Sequence, residues 1–182
     1  MPIALGTESQ PGFDQPLELM KDCHRRIERF IDVLIRVIDE TAGGALPDEH
    51  RRAIETALAY FAIAAPRHTR DEEDSLFPRM RKSSDPAVAE ALERIESLEA
   101  DHVVATRAHR RVDKIGRRWL ENNAISSDEA NEMRRTLGEL HQAYDRHIRM
   151  EDEDIFPLAA RVLTDGELEA IGTEMKARRN AG

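Results

Sequence analysis

HTRDEEDSLFP, residues 68–78, returns as HIRMEDEDIFP, residues 147–157. Five of the eleven positions are identical, and a His followed four residues later by a Glu heads each copy. On an α-helix, residues four apart lie one above the other, about 6 Å apart. His68 with Glu72, and His147 with Glu151, are therefore two pairs of donor side chains, each on one helical face. The interval repeats elsewhere. His24 to His102 is 78 residues, and His68 to His147 is 79. The second half of the chain reads as a copy of the first, and a pseudo-twofold axis along a bundle is expected between them.

The punctuation divides the chain into helices. Residues 1–15 carry scattered Gly and Pro and predict an irregular arm. A first helix starts near Pro16, with Asp14 as its expected cap, and ends before the stretch ETAGGALPD. A second runs from about Asp48 to Met80. Asp85-Pro86 caps a third, which ends near Glu121. Ser126 and Glu129 form a capping box for a fourth, to about Arg161, and Thr164 with Glu167 caps a short fifth, to about Arg178. Apolar residues step by three and four along each of the first four, the mark of an inward seam. Short loops make neighbours antiparallel. The expected fold is all-α: an up-down-up-down antiparallel four-helix bundle over 16–162, with a C-terminal helix and tail over 163–182. Pro66 interrupts the second pattern in register and predicts a kink. Pro78 and Pro157 predict bends or ends.

Composition narrows the function. Of 182 residues, 40% are hydrophobic and 35% charged, with few aromatics, which suits a helical bundle. Lys and Arg number 27 against 36 Asp and Glu, so the net charge is 27 − 36 = −9. That balance argues against nucleic acid or an anionic membrane as partner. No apolar run approaches the roughly 20 residues of a membrane helix. The first residues show no secretory signal, and the lone Cys23 excludes an internal disulfide. A cytoplasmic location is expected.

Polar residues on all four seams need a physical reason, because a buried, unpaired His or Glu costs several kcal/mol. His24, His68, Glu72, His102, His147 and Glu151 fall at one depth of the bundle. Four imidazoles and two carboxylates suit two transition-metal ions, each taking two His, with both carboxylates bridging. Imidazole with carboxylate suits iron, manganese or zinc, and the absence of Cys ligands argues against iron–sulfur clusters. The competing readings are a metal-free bundle with polar seam histidines, and a phosphotransfer bundle. Phosphotransfer requires an exposed His, and these four lie on inward seams.

The set His24, His68-x-x-x-Glu72, His102, His147-x-x-x-Glu151, with both Phe-Pro tails, resembles the hemerythrin-like (HHE) cation-binding family over roughly residues 16–160. The resemblance implies a non-haem di-iron centre, oxo- or hydroxo-bridged, with iron ahead of manganese or zinc. All six residues are then metal ligands, with Glu72 and Glu151 as bridges. It implies binding of O2, NO or peroxide, with redox, stress-response or detoxification chemistry; the alternative is an iron- or oxygen-sensing or iron-handling module without turnover. Oxygen carriers of the family have a second His four residues after the third-helix ligand, where this chain has Thr106. Their last carboxylate is an Asp five residues after its His, where this chain has Glu151 at four. The four-His, two-Glu set is closer to bacterial iron–sulfur repair di-iron proteins and iron-sensing domains.

Around the six, Glu99 is read as a flanking carboxylate rather than a ligand. Tyr144 is either a core residue or a hydrogen-bond donor to the site. His109, about 10 Å further along its helix than His102, is a core or channel residue. His50 and His141 are read as surface residues, Cys23 as a packed thiol, and Thr106 as bonded to its own backbone or to a ligand. Asp71, Glu73, Asp74, Asp152, Glu153 and Asp154 are read as a solvated acidic face. Gly116 and Gly138 are expected to permit close packing.

Overall fold

Residues 11–181 are described by the computed structural model. Most of the expected N-terminal arm, residues 1–10, lies outside the described residues; residues 11–15 are irregular. The rest forms five helical rods, with no strand among the described residues. Rod one is α1 (Pro16–Thr41). Rod two is α2 (Asp48–Arg70), which passes through a π turn (Asp71–Leu76) into α3 (Phe77–Met80). Rod three is α4 (Pro86–Asn122). Rod four is α5 (Ser127–Met150), passing through a second π turn (Glu151–Ile155) into α6 (Phe156–Val162). Rod five is α7 (Asp165–Asn180). α1 packs on α2 and α5, and α4 on the same two, which closes the four-helix bundle. α7 lies across α1, α2 and the first π turn.

The ends follow the local chemistry. Asp85 accepts from the Ala87 N–H at 2.8 Å, with Pro86 opening α4. Both expected capping boxes form, Ser126 with Glu129 and Thr164 with Glu167. Asp14 does not cap α1. The residue before the helix is Gln15, which makes no side-chain cap bond, and Pro16 has no N–H that needs one. Ala42 and Gly43 end α1 in the left-handed region, at φ 48° and 81°. A Cβ on Gly43 would also meet the Ala130 methyl at 2.9 Å, so only glycine fits there without strain.

Two prolines report a departure from the sequence reading. In both FP tails the backbone makes a five-residue bond: the Phe77 N–H reaches the Glu72 carbonyl, and the Phe156 N–H reaches that of Glu151. Pro78 and Pro157 follow at once. In a regular α-helix each proline ring would press on the carbonyl four residues earlier, and neither has an N–H to give. One wider turn absorbs that mismatch and lets the rod continue rather than end. α2 likewise neither ends nor restarts at Pro66.

The core is layered. One apolar cluster holds Ile27, Ile31, Leu58, Trp119, Leu137 and their neighbours. The other holds Met20, Phe77, Ile95, Leu98, Phe156 and theirs. Between the two, each of the four long rods changes from apolar to His or Glu. At Gly116 a Cβ would come within 2.8 Å of a Leu58 methyl, so this glycine does permit close packing. Gly138 meets nothing within 4 Å and does not. No described helix is long and apolar enough to cross a membrane.

Candidate metal centre

The polar layer is buried. His24, His68, His102 and His147 are 1–7% exposed, and Glu72 and Glu151 are 0%. Their donor atoms form two clusters: His24, His68, Glu72, Glu151, and Glu72, His102, His147, Glu151. Within each, one donor atom per residue lies within 4.8 Å of the others, and both glutamates belong to both clusters. The Nε2 of His68 is 3.0 Å from Glu72 Oε1, that of His102 is 3.2 Å from Glu72 Oε2, and those of His24 and His147 are 3.0 and 3.3 Å from Glu151 Oε2. Two atoms each about 2.1 Å from one cation, at right angles to each other, are about 3.0 Å apart. The spacing fits shared coordination.

The hydrogen-bond inventory supports a cation. All four oxygens of Glu72 and Glu151 are buried without a hydrogen-bond partner. Leaving one buried charged group in that condition is already destabilising. The Nε2 atoms of His102 and His147 face each other at 3.2 Å. Their other ring nitrogens face carboxylates. His24 Nδ1–H donates to Asp152 at 2.9 Å and His102 Nδ1–H to Glu73 at 2.8 Å, while His147 Nδ1 lies 3.5 Å from Asp101. A carboxylate can only accept, so on His24 and His102 it holds the proton on Nδ1 and leaves the Nε2 lone pair directed inward. That is the tautomer a metal requires. Glu72, Glu151, Glu73, Asp152 and Asp101 together contribute five negative charges, and none of the five pairs with a Lys or Arg among the described residues. Two divalent cations would offset four of the five.

The same field acts on the protonation of the free side chains. Burial disfavours charge on His24, but Asp152, Glu151 and Glu72 outweigh it and raise its pKa well above the ordinary value. His68 rises to about 10, as Glu72 and the neighbouring Cys23 overcome its burial. His102 rises to about 9 through Glu72, again against burial. Burial also opposes charge on Glu72, yet His68, His102 and His24 hold it well below the carboxylate range. Glu151 is lowered by His147 and His24 against both burial and the charge of Glu72. Protons and cations thus compete for one anionic cavity.

All six residues expected as ligands converge. The acidic face, however, divides. Asp74, Glu153 and Asp154 are exposed as expected. Glu73 and Asp152 are not merely solvated: each directly follows a site glutamate and holds the single His of the opposite half. The signal was present as an acid at matching positions of both copies. Asp71 is 0% exposed and bonds Arg178 at 2.9 Å and Arg179 at 2.7 Å, which fastens α7 to the first π turn. Glu99 makes a two-pronged bond to Arg81 at 2.8 Å and does not reach the site. The Tyr144 hydroxyl is hydrogen-bonded to His109 Nε2 at 2.9 Å, and His109 stacks on Phe61 with ring centres 4.3 Å apart. Burial pushes His109 down to about 4, so it is neutral. His141 is exposed near Asp32, and His50 bonds Glu40 at 2.7 Å.

Cys23 occupies, in the first half, the position Asp101 holds in the second (23 + 78 = 101). Burial raises its pKa, but His68 and Arg179 outweigh that and leave it below the free-thiol value. So Cys23 packs next to His68 just where Asp101 backs His147.

Comparison with known proteins agrees with this geometry. An uncharacterized protein of Haemophilus influenzae is 28% identical over 172 residues, 92% of this chain and 91% of its own length. The model of the hemerythrin HHE cation-binding domain matches residues 15–159, from just before the first rod to within the last turns of the fourth. Six converging donors, and a match over the whole bundle, lead to one conclusion: this chain belongs to the hemerythrin HHE cation-binding family.

Proposed function

We propose that the two clusters hold a pair of iron ions, and that the pair binds O2, NO or peroxide in redox or detoxification chemistry. The reading rests on one observation above others: both glutamates are shared by two clusters, and all their oxygens are buried without a hydrogen-bond partner. Bound there, iron supplies ferrous–ferric cycling and a Lewis-acidic position for a small ligand. The chain supplies the rest. Glu73 and Asp152 fix the rings of His102 and His24 with the Nε2 lone pair inward. The apolar layers on either side exclude bulk water. Thr106 contributes no imidazole where the oxygen carriers have one, so the pair has fewer nitrogen ligands than a carrier's, which favours turnover over stable carriage. Manganese and zinc are the competing metals.

Anaerobic ferrous loading, followed by optical spectra on adding O2, NO or H2O2, tests the reading. Iron uptake with spectral changes on adding one of the three is expected; a protein that takes up no iron contradicts it. A second reading, an iron or oxygen sensor, is favoured by Asp71. It stands one residue before Glu72 and bonds α7, so occupancy of the cavity has a direct mechanical route to the last helix. Faster hydrogen exchange in α7 after metal removal, without turnover of O2 or peroxide, would select that reading.

A further inference from the structure

A cavity of about 550 Å³ opens between α2 and α4. It extends along α2 from Leu58 to Arg70 and along α4 from His102 to Arg117. At 1.5 Å per residue those stretches are about 18 and 22 Å long, so the cavity is an elongated slot. One end reaches His102, a member of the metal centre. A diatomic gas or hydrogen peroxide is close in size to a water molecule, which takes about 30 Å³ in the liquid. The slot is far larger than either requires. Its volume falls within the roughly 300–1,000 Å³ of organic-ligand sites.

The lining states what would fit. Leu58, Phe61, Ala65, Ala105 and Val112 make an apolar wall. The charged members are Arg70, Arg110 and Arg117 against Asp113, a local balance of 3 − 1 = +2 on a chain whose net charge is −9. Arg117 is held by Asp113 and Arg70 by Asp74. Arg110 makes no hydrogen bond or ion pair among those described and is exposed. Arg110 is eight residues past His102, about 12 Å along α4. An anionic head at Arg110 leaves about 12 Å of slot before the metal centre, a length that a chain of about ten carbons fills; Phe61, Ala65, Pro66 and Ala105 wall that stretch, with Thr69, Thr106 and the Asp74-paired Arg70 beside them. His109 is neutral and already bonded to Tyr144, so it adds no charge midway.

We propose that this slot binds an amphipathic organic anion, by class a medium-chain carboxylate, with its head at Arg110 and its apolar end beside His102. What the inner end does depends on the metal pair proposed above; the binding itself does not. Calorimetric titration of the purified full-length protein with decanoate and with decanol tests it directly. Decanoate is expected to bind once per chain and at least tenfold more tightly than decanol. Two exposed positions allow variants that leave the core intact. R110E should weaken decanoate at least tenfold, and T106W, which blocks the inner end, should do the same. In iron-loaded protein, decanoate should also shift the metal absorption bands. Absence of saturable binding, equal affinity for decanol, or decanoate affinity unchanged in both variants would overturn the proposal. Because the titration is also run on metal-stripped protein, failure of iron uptake and failure of carboxylate binding are read separately.

Discussion

The two halves of the bundle present the same donor residues and the same crossed acids behind them, and differ in the rest of what supports them. In both, a lone His on one rod meets a His-x-x-x-Glu on the next, and the acid after the Glu crosses to the other half: Asp152 to His24, Glu73 to His102. Behind the remaining histidines the halves part. Asp101 backs His147, and Cys23 sits beside His68. Asp71 ties the first π turn to α7, while its counterpart in the second half is Met150 (71 + 79 = 150), which has no charge to pair. Tyr144 stands on the second seam where the first has Ala65. The crossed acids are common to both halves, and each fixes the ring of the lone His opposite it. The uncommon residues distinguish the halves: the first ties its π turn to α7 through Asp71, and the second contributes Tyr144 to the pair it makes with His109 in the slot.

The largest expected effect comes from removing the feature only the first half possesses. D71A removes the buried acid shared by two partly buried guanidinium groups and loosens α7, which Glu174 still holds through Arg79, so unfolding free energy should fall by about 3 kcal/mol in urea denaturation. M150A, at the matching place, should cost about 1 kcal/mol. Equal losses would show that α7 is not anchored through Asp71.

The crossed acids come next. E73Q and D152N should each weaken metal affinity roughly 10–100-fold, and by similar factors, because they play matching parts. D101N should do less, since Asp101 lies 3.5 Å from its ring and not in bonding geometry. Competition with a chromophoric chelator measures all three. A D101N effect as large as that of D152N would break the comparison.

His109 gives a pH signature in the slot. Its folded pKa is about 4, below the unfolded value of about 6.5, so the unfolded state binds more protons between the two. Its contribution is complete above pH 6.5 and is lost as pH falls towards 4, by roughly 1–2 kcal/mol at pH 5. Thermal melts of H109Q should lose that part of the acid sensitivity while keeping the part due to the metal layer. An unchanged pH profile would show that His109 is not neutral in the folded protein.

The smallest effect restores symmetry. Gly138 corresponds to Ala59 of the first half (59 + 79 = 138), and a Cβ there meets nothing within 4 Å. G138A should stabilise the protein by about 1 kcal/mol, whereas G116A, facing a Leu58 methyl at 2.8 Å, should not.

The rods, three of the four expected caps and the six converging donors were legible because each depends on short-range spacing; the fourth, Asp14, was misplaced because Pro16 opens α1 without needing a cap. The 3.6-residue period places seam residues, and the 78- and 79-residue intervals set His24 against His102 and His68 against His147. The π turns were not legible. A periodicity template assumes one residue count per turn, and the widening at Glu72 and Glu151 follows from a proline that arrives six residues after each Glu. Missing that extra residue sent Asp71, Glu73 and Asp152 to the solvated face, since acids in a run look alike until the turn that aims them is known. Asp101 carries no such signal, because its partner His147 is on another rod. The slot between α2 and α4 depends on which side chains two distant segments leave short of each other, and no single stretch of sequence encodes that gap.

The central claim is that Glu72 and Glu151 together hold a metal pair. The most direct test is iron content per chain after anaerobic loading and desalting, for the native protein and for E72A/E151A, with helical circular dichroism recorded on both. The account predicts about two iron atoms per native chain and almost none in the double variant, with the helical signal retained. A folded double variant that keeps its full iron content would contradict it.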